Sequence, residues 1–126
     1  MLLTHEGRKS GRITKTVLEI IDCNEITGER LVISAYGDDA NWYRNVRAGK
    51  AMEVQVGRTR FCPELRFPGP QETRETILSY ERKHPESLRK LLKIMGIPYD
   101  GSGKMRERLV QRFRLVGFAP ARDAGG

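Results

Sequence analysis

At 126 residues, the chain is long enough to bury the core of one domain and too short for two ordinary ones. Its 23 Lys and Arg outnumber its 16 Asp and Glu, and the net charge of +7 indicates an anionic partner: a nucleotide-like cofactor, a nucleic acid or an anionic membrane surface. Two separated cysteines and two histidines do not give a zinc spacing, and no apolar run approaches the roughly 20 residues of a membrane helix, so we expect no metal and a cytoplasmic protein.

The first motif is a basic turn, G-R-K-S-G at residues 7–11, which follows a short predicted strand at residues 1–4. Glycine tolerates positive φ, so backbone N–H groups can converge, and two cations with a hydroxyl can close around phosphate oxygens. Lys15 can add a third cation from the next strand. The turn therefore indicates an anion site, with a solvated basic hairpin turn as the alternative.

Two β-hairpins are predicted in the first half of the chain. Residues 13–22 are rich in β-branched side chains and residues 29–36 form the clearest strand, so we expect them to pair antiparallel. Residues 51–56 alternate between apolar and polar side chains, and residues 59–67 form the return strand of the second hairpin.

Helical patterns lie between and after the hairpins. Asn41 is expected to cap a short helix over residues 42–48. Residues 71–83 and 86–95 suit a pair of helices, and residues 112–118 alternate again and are expected to close the sheet.

These elements predict one mainly β domain of the α+β class over residues 1–120, with a flexible tail at residues 121–126. About six strands, a short helix after the third strand and a helical pair before the last strand favour a split β-barrel. Closure by pairing removes exposed strand edges, and the two helical excursions leave a cleft. An open sandwich is the alternative.

The order of motifs resembles the deazaflavin-dependent nitroreductases, also called the F-420-dependent quinone reductases. The resemblance rests on L-L-T-x-x-G-R-K-S-G, a strand ending in S-x-x-G, a W-Y-x-N-x-x-A helix and E-V-Q-V, and covers residues 2–67. It implies a split barrel of the flavin- and deazaflavin-binding type. It also implies an oxidoreductase that transfers a hydride from reduced F-420 to a small electron-poor acceptor such as a quinone, a nitro compound or an enone.

The resemblance implies coenzyme F-420 as the cofactor, with its phosphate on the basic turn and its ring beside the following strands and helix. FMN is the runner-up, because Thr14 stands where the family commonly has arginine and Val17 stands where it has proline. The residues implied in cofactor binding are Arg8, Lys9, Ser10, Thr14, Lys15, Thr16, Val17, Ser34, Ala35, Tyr36, Asn41, Trp42, Tyr43 and Asn45.

Catalytic side chains are not identified by any motif, because the cofactor ring carries the chemistry. Ser34, Tyr36 and Tyr43 are candidates to hydrogen-bond or protonate the acceptor. His5 and His84 have no partner at a spacing suited to acid–base catalysis, and we expect both to be exposed.

The alternative from another class is a non-catalytic small barrel that binds nucleic acid or another anion. Basic residues interleaved with Trp42, Tyr43 and Phe61 are typical of a groove that follows phosphates and stacks bases. The cations in this pattern are Arg8, Lys9, Arg12, Lys15, Arg44, Arg47, Lys50, Arg58, Arg60 and Arg66. We favour the enzyme with a small-molecule acceptor and an anionic cofactor, and we expect no nucleic-acid partner. We expect at most peripheral contact with a membrane, and a homodimer is one assembly state open to the chain.

Overall fold

Eight strands form two antiparallel sheets in the computed structural model, which describes residues 1–121. The strands are β1 (Leu2–Glu6), β2 (Ile13–Val17), β3 (Ile20–Cys23), β4 (Arg30–Ser34), β5 (Ala51–Val56), β6 (Thr59–Phe61), β7 (Pro63–Arg66) and β8 (Arg114–Pro120). The first sheet has the strand order β2-β1-β5-β6, and the second sheet has the order β3-β4-β8-β7. Together with the four helices described below, these sheets confirm the α+β class.

The strand count exceeds the predicted six because two predicted strands each divide and change sheet. Residues 13–22 split around Leu18, so that β2 pairs with β1 while β3 pairs with β4. Leu18 is buried, and its backbone exchanges hydrogen bonds of 2.8 and 2.9 Å with Met1, which fixes the corner. Residues 59–67 split in the same way at Cys62, before Pro63. Among residues 1–121 the two sheets do not close into a barrel.

Four helices accompany the sheets: α1 (Asn41–Arg47), α2 (Pro70–Lys83), α3 (Pro85–Ile94) and α4 (Gly103–Arg112). Asn41 is the first helical residue and Ala40 precedes it without a side-chain cap, so the predicted capping role was wrong. The predicted helical pair is also incomplete, because α4 follows it. Ser102 begins α4 by accepting a hydrogen bond from the Met105 backbone N–H at 3.1 Å.

The second sheet lies between two hydrophobic cores, and α1 belongs to the first of them. Val32 of β4 packs with Leu3, Val54 and Phe118 in the core between the sheets, to which α1 contributes Val46. The next residue of β4, Ile33, packs against the second core, because successive residues of a strand point to opposite faces of the sheet. That core contains Ile77, Tyr80, Leu88, Leu92, Ile97, Met105, Leu109, Val110 and Phe113.

Within residues 1–121, no helix combines the length and the apolar character needed to cross a membrane. The predicted tail at residues 121–126 lies, except for its first residue, outside the described residues.

Candidate active site

The basic turn at residues 7–11 is held by hydrogen bonds within itself. The Gly7 N–H donates to the Arg12 carbonyl at 2.7 Å, and the Gly11 N–H donates to the Gly7 carbonyl at 2.9 Å. The Ser10 hydroxyl accepts from the Arg12 N–H at 3.2 Å. Gly11 has a φ of 70°, a conformation that favours glycine, and a Cβ on Gly7 would meet the Ser10 Oγ, which would have to rotate away.

A cavity of about 480 Å³ lies between this turn and α1. Three cationic side chains contribute to its lining, together with hydroxyls and amides, and no carboxylate does. The lining residues are His5, Gly7, Arg8, Lys9, Ser10, Thr14, Asn41, Arg44 and Asn45. Charged N–H donors with hydroxyls are the donor set that phosphate oxygens prefer, so this anion cavity fits a phosphate group.

Arg8 is fixed on the wall of the anion cavity by Asn45. The Asn45 Oδ1 accepts from the Arg8 backbone N–H at 3.1 Å and from its Nη1 at 2.8 Å. Behind Asn45 lies His5, whose side chain is buried, contrary to the prediction that it is exposed. Burial lowers the pKa of His5 below its ordinary value.

Two further cavities adjoin the anion cavity along α1. One of about 410 Å³ shares Arg8 and Arg44 with it, and also contacts Tyr43 and Arg47. The other, of about 590 Å³, shares Asp38, Tyr43 and Arg47 with the second. Because neighbouring cavities share these side chains, the three cavities lie in a row along α1, and we call this row the groove. It leads from the basic turn to the start of α2 and the end of α4.

The far end of this groove combines apolar side chains with Asp38, Arg47 and Arg114, and of the two arginines Arg47 has no carboxylate partner within the described part of the chain. Phe67, Pro68 and Pro70 contribute to its lining, and the Arg47 guanidinium lies 4.5 Å from the Phe67 ring centroid. No carboxylate within residues 1–121 lies at salt-bridge distance from Arg47, whereas Arg114 on the opposite wall has Asp38 at 3.4 Å.

Tyr43 lies where the second and third cavities meet. Only 6% of the residue is exposed, and its ring packs edge-to-face against Trp42 and Phe67 at centroid distances of 6.0 and 6.3 Å. Its hydroxyl forms no hydrogen bond with another described residue. Burial raises the pKa of Tyr43, so the phenol holds its proton.

Six of the residues implied in cofactor binding line the anion cavity together, and Tyr43 lines the next one. The six are Arg8, Lys9, Ser10, Thr14, Asn41 and Asn45. Thr16 lies behind the cavity, where its hydroxyl contacts the His5 ring at 2.9 Å. Lys15 and Val17 alternate with Thr14 and Thr16 along β2 and therefore face the opposite side, where Val17 is 81% exposed.

The remaining implied residues do not line the three cavities. Ser34 is buried, and its hydroxyl donates to the Gly37 carbonyl at 2.9 Å. Ala35 packs against the core formed by the helices, whereas Trp42 packs against the core between the sheets. Tyr36 is exposed outside the groove.

The structure adds residues to the cofactor groove that the resemblance did not imply. Arg44 and Arg47 were expected only as cations of the nucleic-acid alternative, and their spacing of three positions on α1 places both on one helix face. Phe67 closes the far end beside two prolines, in a segment expected only to end a strand. No sequence signal identifies His5, whose partner is forty positions away.

The model of the F420H(2)-dependent quinone reductase family matches residues 1–66, just over half of the 126-residue chain. The match covers the basic turn, α1 and the strands as far as β7, and ends before α2. No curated protein matches the chain. The chain therefore belongs to the F420H(2)-dependent quinone reductase family, and its cofactor is coenzyme F-420.

Proposed function

We propose that this protein reduces a small electron-poor acceptor with reduced F-420, quinones being the first class of acceptor and nitro compounds and enones the next. The observation that carries the proposal is the groove itself. Beside the basic turn the groove is cationic and has no carboxylate in its lining, which suits an anionic cofactor. At its far end, apolar side chains contribute to the lining, which suits a flat apolar acceptor next to that cofactor.

The anionic end of the cofactor is assigned to the basic turn. Arg8, Lys9 and Arg44 would neutralise the phosphate, while the Ser10 and Thr14 hydroxyls would hydrogen-bond its oxygens. The Arg8 guanidinium carries five N–H donors and uses one on Asn45, so the others are available to an anion.

The far end of the groove is assigned to the acceptor. When bound, reduced F-420 supplies a hydride from its ring. An acceptor carbonyl that gains a hydride develops negative charge on its oxygen and needs one proton. We assign the donation of that proton to the Tyr43 hydroxyl and the stabilisation of the charge to the Arg47 guanidinium. The apolar side chains of Phe67, Pro68 and Pro70 would contact a flat acceptor.

A coupled assay tests this proposal directly. The protein is mixed with reduced F-420 and a soluble quinone, and the return of the absorbance of oxidised deazaflavin is followed, with protein-free mixtures as the baseline. We expect turnover that saturates in both reactants and is lost in the double variant Arg8→Ala/Lys9→Ala. Saturable cofactor binding without turnover on any quinone, nitro compound or enone would contradict the proposed reaction.

Two competitors separate the alternatives. FMN also carries a phosphate and a flat ring, and a single-stranded oligonucleotide carries phosphates alone. We expect F-420 to displace both from the groove at lower concentration. Tighter binding of the oligonucleotide, with a steep dependence on salt, would favour the nucleic-acid alternative.

For the architecture, we propose that residues 1–120 form one domain of the split-barrel type, in which the two sheets are opened halves of a barrel. The corners at Leu18 and Cys62, where the chain passes from one sheet to the other, support this relationship.

We also propose a homodimer, and sedimentation equilibrium tests it: a mass of about one chain at all concentrations would contradict it.

A further inference from the structure

His5 and Asn45 form a buried polar pair beneath the anion cavity. His5 is 2% exposed and Asn45 is 5% exposed, and the Asn45 Nδ2 lies 3.0 Å from the His5 Nδ1. The other ring nitrogen of His5 lies 2.9 Å from the Thr16 Oγ1. The polar atoms of both side chains are thus paired inside the protein, as buried polar groups generally are.

The hydrogen-bond pattern assigns the orientation of the Asn45 amide. Its oxygen must face Arg8, because both Arg8 groups at this distance are N–H donors. The amide nitrogen then faces His5 and can only donate, so the His5 Nδ1 must be an unprotonated acceptor. The ring proton is therefore on Nε2 and is donated to the Thr16 hydroxyl.

We propose that His5 is a positioning residue for the anion site: its unprotonated Nδ1 holds the Asn45 amide with the oxygen toward Arg8, and thereby fixes the Arg8 backbone and guanidinium on the cavity wall. This proposal rests on the proposed function in that the anion is taken to be the cofactor phosphate. His5 contributes to the floor of the anion cavity but is only 2% exposed, and the role proposed here is exerted through Asn45.

The geometry explains why the position of Arg8 depends on this pair. Arg8 follows Gly7, in a turn whose own hydrogen bonds involve Gly7, Ser10, Gly11 and Arg12 and none of the Arg8 atoms. Asn45 supplies both hydrogen bonds of Arg8 within residues 1–121. Without an acceptor at His5, the amide would have no partner to fix its orientation, and a rotated amide would present its nitrogen to the Arg8 donors.

Two substitutions at the same position test the role. His5→Phe keeps an aromatic ring of similar size and removes the Nδ1 acceptor, whereas His5→Asn places a carbonyl oxygen on Cγ, where Nδ1 is attached. We expect His5→Phe to raise the Kd for F-420 about tenfold, the order expected if the displaced Arg8 guanidinium loses a hydrogen bond to the anion. We expect His5→Asn to stay within about threefold of the wild type. His84→Phe, the same change at the exposed histidine, is the matched control and should leave the Kd unchanged.

The second readout uses the protein without any cofactor, so that failure of the proposed function is distinguishable from failure of this inference. Nitrogen-15 spectra should show an unprotonated Nδ1 and a protonated Nε2 in wild-type His5. The Arg8 amide resonance should move in His5→Phe and stay in place in His5→Asn. A protonated Nδ1 in the wild type would overturn the inference even if neither variant folds. Equal losses of affinity in both variants, in proportion to their losses of thermal stability, would also overturn it.

Discussion

The side-chain oxygen of Asn45 accepts hydrogen bonds from both the backbone N–H and the guanidinium of Arg8, at 3.1 and 2.8 Å. This contact joins α1 to a turn 37 positions earlier in the chain. It places the basic turn against the helix face that carries Arg44 and Arg47. The proposed cofactor site thus depends on a helix and a turn that only the folded core brings together.

Lys9→Ala tests the phosphate contact of the turn. Lys9 is exposed at the cavity and has no carboxylate at salt-bridge distance among residues 1–121, so its removal should weaken F-420 binding by about 1 to 3 kcal/mol, with little change in the melting temperature of the free protein. Fluorescence titration of the cofactor measures the loss. Arg12→Ala is the matched control, because Arg12 lies in the same turn region outside the cavity lining. Similar losses of F-420 affinity in both variants would show that Lys9 acts through the net charge of the protein and not through a direct phosphate contact.

Tyr43→Phe tests the proposed proton donor. The ring keeps its packing against Trp42 and Phe67, while the groove loses its phenol. We expect kcat with a quinone to fall about 100-fold, at the lower end of what general acid catalysis contributes, with the Kd for F-420 nearly unchanged. Tyr99→Phe removes a hydroxyl that donates to Glu81 at 2.9 Å, away from the groove, and serves as the control. An unchanged kcat in Tyr43→Phe would assign proton delivery to another group.

Gly37→Ala tests the close contact between the segment before α1 and the last residue of α4, Arg112. Gly37 has a φ of 56°, and a Cβ there would meet the backbone carbonyl oxygen of Arg112, which cannot rotate away. Gly49 has a φ of 78°, and a Cβ added to it would have no atom within 4 Å, so Gly49→Ala isolates the backbone strain. Urea denaturation should show a loss of about 1 kcal/mol for Gly49→Ala and about 3 kcal/mol for Gly37→Ala. Equal losses would mean that the Arg112 contact is relieved without cost.

The buried His5 predicts a dependence of stability on pH. Because burial lowers its pKa below the ordinary value of 6.5, the unfolded chain binds a proton more readily than the native protein. The free energy of unfolding should therefore fall as the pH drops below 6.5 toward the lowered pKa of the folded state. Thr16 and Asn45 face the ring, and the Arg8 guanidinium lies on the other side of the Asn45 amide.

Urea titrations from about pH 7 to about pH 5 measure this slope, and His5→Asn is the reference because it removes the titrating ring. The wild type should lose more stability than His5→Asn across this range. Parallel pH profiles for the two proteins would show that His5 keeps its ordinary pKa in the fold.

The sequence predicted the elements whose signals are local. Glycines around two cations predicted the basic turn, and the alternation of residues 51–56 predicted β5. The corner at Leu18 was not predicted, because residues 13–22 are rich in β-branched side chains on both sides of it. The corner at Cys62 was not predicted either, although the proline that follows it is a signal for a strand boundary. The helix α4 was not predicted, because the Gly and Ser residues before it resemble a loop, although Ser102 is its N-cap.

The groove was less predictable than the turn, because it depends on long-range packing. Whether Ser34 or Tyr43 faces the groove is decided by which side of β4 and α1 the cores cover, and the residues nearby in sequence do not determine that. His5 shows the same limit, since its burial follows from a partner on a helix forty positions later.

We propose that the basic turn and α1 hold the anionic end of F-420. Amide chemical-shift mapping of the nitrogen-15-labelled protein during a titration with F-420 tests this placement residue by residue. We expect saturable shifts concentrated at residues 7–11 and 41–47, with the exposed faces of α2 and α3 unaffected. Saturable shifts confined to α2 and α3, or no shifts at the basic turn at saturating cofactor, would contradict it.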